Sequence, residues 1–174
     1  MIVRDARPDE LAEAGEIRVA AYVADGFMSP DSGYAPTLRA LGLDGNGAVL
    51  VAVAQDEDGP ILGTVMLQPW PHAGQVVAGR DEAEIRALAV IPEARGRGIG
   101  DALLQAVIER AARQGVRHLV LLTQPEMLTA QRLYQRAGFR RLADRDWSPA
   151  PGMILLAYGL ALTGGSQATP PSPA

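Results

Sequence analysis

Residues 83–104 read AEIRALAVIPEARGRGIGDALL, and the fold follows from how that stretch divides. Glu84–Val90 reads as a strand and stops short of Pro92, which cannot donate to a ladder. Arg95-Gly96-Arg97-Gly98-Ile99-Gly100 then forms a glycine-rich loop, and from Gly98 a helix runs to about Gln114, with Gly115 as its stop. Glycines let backbone approach a ligand closely, and a helix N-terminus offers unpaired N–H groups at the positive end of its dipole. Strand, loop and helix in this order predict a phosphate cradle. Arg86, Arg95 and Arg97 against Glu93 leave a charge of +2 over residues 86–97, in a chain that is acidic overall. A dinucleotide-binding fingerprint does not fit. Counting from Gly96 puts Asp101 at its third glycine, and counting from Gly98 puts Leu103 there.

Upstream of this stretch, residues 2–7 alternate as a short strand, and Pro8-Asp9-Glu10 opens a helix running to about Val23. Residues 25–34 are loop, and a short helix at 37–41 ends in Gly42. Strands at 49–55 and 61–67 are joined by the hairpin signal Asp56-Glu57-Asp58-Gly59-Pro60, and a polar loop fills 70–81. Downstream, a strand is expected at 118–123, a helix at 128–137 capped by Gly138, and strands at 140–142 and 153–162. The order β-α-α-β-β-β-α-β-α-β-β predicts a mixed α/β architecture of sheet and helices. Residues 1–162 make one domain, and residues 163–174, which lack core-forming side chains beyond alanine, make a disordered tail.

Composition narrows the chemistry. The 174 residues suffice for one domain with a real core. Sixteen basic against twenty acidic residues give −4 and a pI near 5.2, which disfavours binding nucleic acid through global charge. There is no cysteine, so disulfides, thiolate catalysis and cysteine zinc sites are excluded. There is also no lysine, which excludes Schiff-base enzymes and a Walker-type P-loop. His72 and His118 form no close pair, so no metal is expected. The charged first ten residues do not resemble a signal peptide, and the longest apolar run, Met153–Leu162, is too short to span a bilayer. A cytoplasmic protein with no membrane partner is the expectation.

The signature Arg95-x-x-Gly98-x-Gly100, between a strand ending Leu88-Ala89-Val90 and a long helix, resembles that of the GNAT superfamily of acyl-CoA-dependent N-acyltransferases. Downstream, Ala130-Gln131-Arg132-Leu133-Tyr134-Gln135-Arg136-Ala137-Gly138-Phe139 resembles the second hallmark of that family, A-x-x-L-Y-x-x-x-G-F. The resemblance implies a mostly antiparallel sheet of about seven strands flanked by four helices and splayed between the strands at 84–90 and 118–123. It implies acetyl-CoA as co-substrate, an amine acceptor and direct transfer of the acetyl group in a ternary complex. The alternatives are acetylation of a protein or peptide N-terminus and a non-catalytic acyl-CoA-binding module. Assembly as a homodimer is left open.

The same resemblance implies a division of labour. Backbone N–H groups of Arg95, Gly96, Arg97, Gly98, Ile99 and Gly100 hold the pyrophosphate. The strand edge at Leu88, Ala89 and Val90 pairs with the pantetheine arm, with an N–H near Val90 facing the thioester oxygen. Tyr134 gives a proton to the departing thiolate, although Ala130, Leu133, Tyr134 and Ala137 also fall on an ordinary core stripe. Glu84 is the candidate base, with His72 or water as the other options. Family members often carry an asparagine seven residues before the tyrosine, and here that position is Met127. The acceptor site is expected among residues 25–34, 70–72 and 144–147, where Asp25, Asp31, Asp144 and Asp146 either attract a cationic amine or are ordinary loop carboxylates, and Trp147 either walls a pocket or packs the hairpin. Arg132, Arg136, Arg140 and Arg141 either meet the 3′-phosphate or form a solvated basic face.

Overall fold

The computed structural model describes residues 1–163. The expectation of a disordered tail therefore falls, apart from Thr163, outside the described residues. Seven strands form one sheet: β1 (Ile2–Asp5), β2 (Ala48–Val53), β3 (Ile61–Pro69), β4 (Glu82–Val90), β5 (His118–Thr123), β6 (Arg140–Arg141) and β7 (Leu156–Ala161). Their order is β1-β2-β3-β4-β5-β7-β6, and every neighbouring pair is antiparallel except β4 with β5. Four α-helices, α1 (Leu11–Ala24), α2 (Ala35–Ala40), α3 (Ile99–Arg113) and α4 (Leu128–Arg136), cover it. The α/β sheet-and-helix architecture expected from the sequence is the one observed.

Both faces of the sheet are buried, which explains why β2 reads as a continuous apolar run rather than an alternating one. Val49, Val51 and Val53 of β2 point toward α1 and α2, where they share a core with Ile17 and Leu38 and with Met66 of β3. Leu50 and Ala52 point the other way, toward Leu103, Leu104 and Val107 of α3. The breadth of the apolar stripe on α3 is thereby explained: Ile99, Leu103, Leu104, Val107 and Ala111 are all buried. Gly15 permits the close approach of α1 to α2, because a Cβ there would sit 2.6 Å from the Arg39 carbonyl oxygen.

Several boundaries differ from the sequence reading by one to three residues, and two of them have a clear cause in side-chain bonding. β7 begins at Leu156, not at Met153. The turn from Ser148 to Met153 keeps its own bonds, with the Ser148 hydroxyl donating to the Met153 carbonyl at 2.6 Å, and Met153 and Ile154 are exposed. β4 starts two residues early, at Glu82, because that carboxylate is held by Arg145, His118 and the Ala78 N–H. No described helix is long and apolar enough to cross a membrane.

Candidate active site

The parallel pairing of β4 with β5 stops early. Glu82 pairs with His118, Ala83 with Leu119 and Glu84 with Val120, and no rung follows. Beyond Glu84 the strands diverge and a cavity of about 550 Å³ opens, lined by Leu88, Ala89 and Val90 on one side and Leu122 and Thr123 on the other. Three expected features therefore coincide: the splay, the free edge of β4 and the glycine loop, which lines the same cavity through Gly96, Gly98 and Gly100.

Local conformation accounts for the loop. Gly96 and Gly98 have φ of 71° and 75°, in the left-handed region, and a Cβ added to either meets nothing within 4 Å. Glycine is required there by backbone conformation rather than by crowding. Gly98 is the N-cap of α3. Among the described residues, the N–H groups of Gly96 through Asp101 donate no backbone hydrogen bond, leaving a row of donors at the positive end of a helix of 15 residues. This arrangement suits a pyrophosphate. One expected donor is already engaged, since the Arg95 N–H donates to the Pro92 carbonyl at 3.3 Å. The Arg95 side chain is a brace as well: its guanidinium pairs with Asp25 at the end of α1 and its Nε donates to the Val90 carbonyl at 3.3 Å.

A feature not anticipated from the sequence sits in β4. The register with β3 shifts where Thr64 pairs with Ala89 but Met66 pairs with Arg86, so Val65 faces two residues, Ala87 and Leu88. Ala87 takes φ of 51°, a left-handed conformation costing a non-glycine residue roughly 1 kcal/mol. A bulge leaves its extra residue off the ladder. Ala87 and Leu88 both line the cavity, and an N–H left off the ladder there would suit a carbonyl oxygen developing negative charge. Alanine gives no sign of this in a one-dimensional reading.

Tyr134 lines the cavity and is buried, with Phe139 and Tyr158 tilted against it at ring-centroid distances of 5.9 and 6.5 Å. Core packing and cavity lining are both satisfied by one side chain. Its hydroxyl makes no hydrogen bond within the described residues, and burial, reinforced by Tyr22, holds the phenol well above its ordinary pKa. It is protonated at neutral pH. Met127 also lines the cavity, and its sulfur accepts from the Thr123 hydroxyl at 3.6 Å. Gln131 clamps the turn after β5, donating to the carbonyls of Gln124 and Pro125 at 3.1 and 3.0 Å while its Oε1 accepts from the Tyr158 hydroxyl.

Glu84 lies on the opposite face of β4 from Ile85 and is 5% exposed, outside the residues that line the cavity. Its Oε2 accepts from the Gly74 N–H at 2.7 Å, and its Oε1 stands 3.8 Å from Arg86 Nε. Burial raises its pKa against the opposing effects of Arg86 and the Gly74 N–H. His72 is not in the main cavity; it borders a separate shallow cleft with Asn46, Pro69 and Gln114.

Two of the four aspartates expected to attract the acceptor, Asp25 and Asp146, are engaged in ion pairs. Asp25 is paired with Arg95, Asp146 receives both terminal nitrogens of Arg141, and Asp31 accepts from the Ser29 hydroxyl. Trp147 pairs with Leu155 across the last hairpin and does not line the cavity. Of the basic cluster on and after α4, Arg136 pairs with Asp101 at the cavity mouth, and Arg141 also stacks over Tyr158.

Comparison with known proteins agrees with this geometry. The model of the acetyltransferase (GNAT) family matches residues 16–139. An uncharacterized N-acetyltransferase of Schizosaccharomyces pombe is 31% identical over 107 residues, covering 62% of this chain and 61% of that protein. A mycothiol acetyltransferase of Cellulomonas flavigena is 34% identical over 99 residues, covering 55% of this chain and 28% of that protein. The chain thus spans less than two thirds of either relative. The crystal structure of a GNAT-family acetyltransferase from Staphylococcus aureus superposes with a TM-score of 0.73 at 20% identity, over 93% of this chain and 99% of that one. A phosphinothricin acetyltransferase from Sinorhizobium meliloti, solved in complex with AcCoA, superposes with a TM-score of 0.68 at 26% identity, over 98% of this chain and 92% of that one. With the family model covering most of the sheet and both motifs, the chain belongs to the acetyltransferase (GNAT) family.

Proposed function

We propose that the protein is an N-acetyltransferase that moves the acetyl group of acetyl-CoA to a primary amine of a small molecule by direct attack in a ternary complex. The observation that carries this reading is a single cavity lined by the glycine loop, the free edge of β4 and Tyr134. Acetyl-CoA supplies an activated acyl group on a sulfur leaving group; the residues present fit it. Gly96 through Gly100 offer backbone donors to the pyrophosphate, and Leu88 to Val90 offer a strand edge to the pantetheine amides.

In the chemical step the amine nitrogen bonds to the thioester carbon, the carbon–sulfur bond breaks, and the nitrogen loses a proton. Backbone N–H groups at the Ala87–Leu88 bulge stabilise the negative charge on the carbonyl oxygen. Tyr134 gives its proton to the departing sulfur and recovers one from solvent. Glu84 takes the amine proton through intervening water, since it is buried with a raised pKa on the far side of β4. The test is thiol release from acetyl-CoA across a panel of primary amines, with mass spectrometry of the product. The expected result is an amine-dependent thiol and a product heavier by one acetyl group. Tight acetyl-CoA binding with no thiol released on any amine would instead identify a non-catalytic acyl-CoA-binding module.

A further inference from the structure

Two arginines lie on the α1 side of β4, and nothing in the chemistry above uses them. Arg18, on α1, is fully buried. Its Nη1 donates to the carbonyls of Leu38 and Leu41 at 3.2 and 2.8 Å, at the C-terminal end of α2. Its Nε and Nη2 have no partner among the described residues. Arg86, on β4 next to the Ala87 bulge, is only partly covered, with 23% of its side chain exposed. Its Nη1 donates to Gln68 Oε1 at 3.1 Å. The two cations are close enough that Arg86 helps to lower the pKa of Arg18, although burial is the larger cause. At about 10, that pKa still leaves Arg18 charged at neutral pH.

Compensation for these charges is incomplete. Glu84 is the carboxylate paired with Arg86, at a loose 3.8 Å, and one of its oxygens is already engaged by the Gly74 N–H. Buried cations are tolerated only when paired, so two positive charges against one poorly matched carboxylate leave room for a further anion. The location matters. Tyr22, one turn beyond Arg18 on α1, and Ala87, next to Arg86 on β4, both line the cavity, while the two arginines stand just behind that lining. The positive region therefore adjoins the cavity wall formed by α1 and the bulge of β4, on the face of β4 opposite α3.

From this we infer that the acceptor is an amine that also carries a carboxylate, and that Arg86 binds that carboxylate, with the buried charge of Arg18 behind it. The inference rests on the acetyltransferase reading and adds its substrate class. Arg86 is the contact, because its guanidinium is reachable, and a planar guanidinium pairs with a carboxylate through two parallel hydrogen bonds. Arg18 touches no ligand and acts through its charge. The same positive field disfavours the ammonium form of the acceptor, which must shed a proton before it can attack. The step balances as above, with an N-acetylamino acid and free CoA thiol as products.

The experiment uses the full chain at saturating acetyl-CoA with matched sets of acceptors: amino acids, their carboxamides and the corresponding decarboxylated amines. The expected result is at least a tenfold preference in kcat/KM for the carboxylate member of the preferred set. Arg86→Met raises KM for that member about tenfold or more, removes the preference and leaves acetyl-CoA affinity by calorimetry unchanged. Arg86→Lys, which keeps the charge, restores part of the preference and keeps the inference testable where the methionine variant folds poorly. Equal or better use of carboxamides, decarboxylated amines or peptides overturns the inference while leaving the acetyltransferase reading intact. So does an Arg86→Met variant that slows every member of a set equally, or acetyl-CoA binding without turnover on any carboxylate-bearing amine. Failure to bind acetyl-CoA at all would remove the underlying reading as well.

Discussion

Glu84 and Val120 form the last rung between β4 and β5, so the candidate base stands where the sheet begins to part. Every residue of β4 that lines the cavity beyond Ile85 lies past that rung: Ala87, Leu88, Ala89 and Val90. The geometry couples two properties that appear unrelated in one dimension. The rung fixes the apex of the cavity, and it buries the Glu84 carboxyl beneath the loop carrying Gly74.

Tyr134→Phe keeps the aromatic packing against Phe139 and Tyr158 and deletes one proton. Turnover at saturating acetyl-CoA should fall by roughly 10²-fold with acetyl-CoA affinity little changed. A change of only a few-fold across several pH values would remove the tyrosine from the mechanism and leave it a core residue.

Gly98 separates two effects that glycine often confounds. With φ of 75° and open space around its Cβ position, the site should tolerate Asn, which visits the left-handed region more readily than other residues. Gly98→Glu adds both strain and a carboxylate beside the proposed pyrophosphate. Calorimetry should show acetyl-CoA affinity reduced at least tenfold by glutamate and by much less for asparagine. Equal affinities in folded variants would dispose of the phosphate cradle.

Glu84 makes a prediction about pH. A base must be ionised to accept a proton, and burial raises the pKa of this carboxyl above 4.5. Its ionised fraction, and with it kcat, therefore rises with pH through that raised value. The acidic limb of the profile should sit above the ordinary glutamate range and disappear in Glu84→Gln. Retention of the limb in the glutamine variant would point to water or another group as the base.

Glu82 bears on stability rather than on chemistry. Burial works to raise its pKa, but Arg145, the Ala78 N–H and His118 outweigh it and hold the carboxyl at about 2. A depressed pKa contributes stability that is present above the unfolded value near 4.5 and is lost as pH falls toward 2. The loss amounts to about 3 kcal/mol across that window. Thermal melts of Glu82→Gln should start from a lower Tm at pH 6 and decline less steeply below pH 4.5 than those of the parent. Parallel curves would show that the cluster tying β4 to Arg145 does not control acid unfolding.

The strand, glycine loop and helix of residues 83–104, the apolar stripe of α3 and the tyrosine of α4 were all legible in the sequence. Each is dictated by neighbours within a few positions: the period of a helix, the φ that only glycine adopts readily, the N–H groups left over at a helix start. The order of elements then restricted the architecture to a mixed α/β arrangement of sheet and helices. Tertiary structure alone decided where the paired β4 and β5 part, that Ala87 bulges, and which charges neutralise one another. Arg95 finds Asp25 across 70 positions of sequence, and Arg145 finds Glu82 across 63. Two of the aspartates expected to attract a cation, Asp25 and Asp146, are spent in such pairs, while Arg18 keeps two donors without a partner and Arg86 only a loose carboxylate. Charge in a sequence is a count, but its effect depends on partners and burial, and those are set only when distant segments pack together.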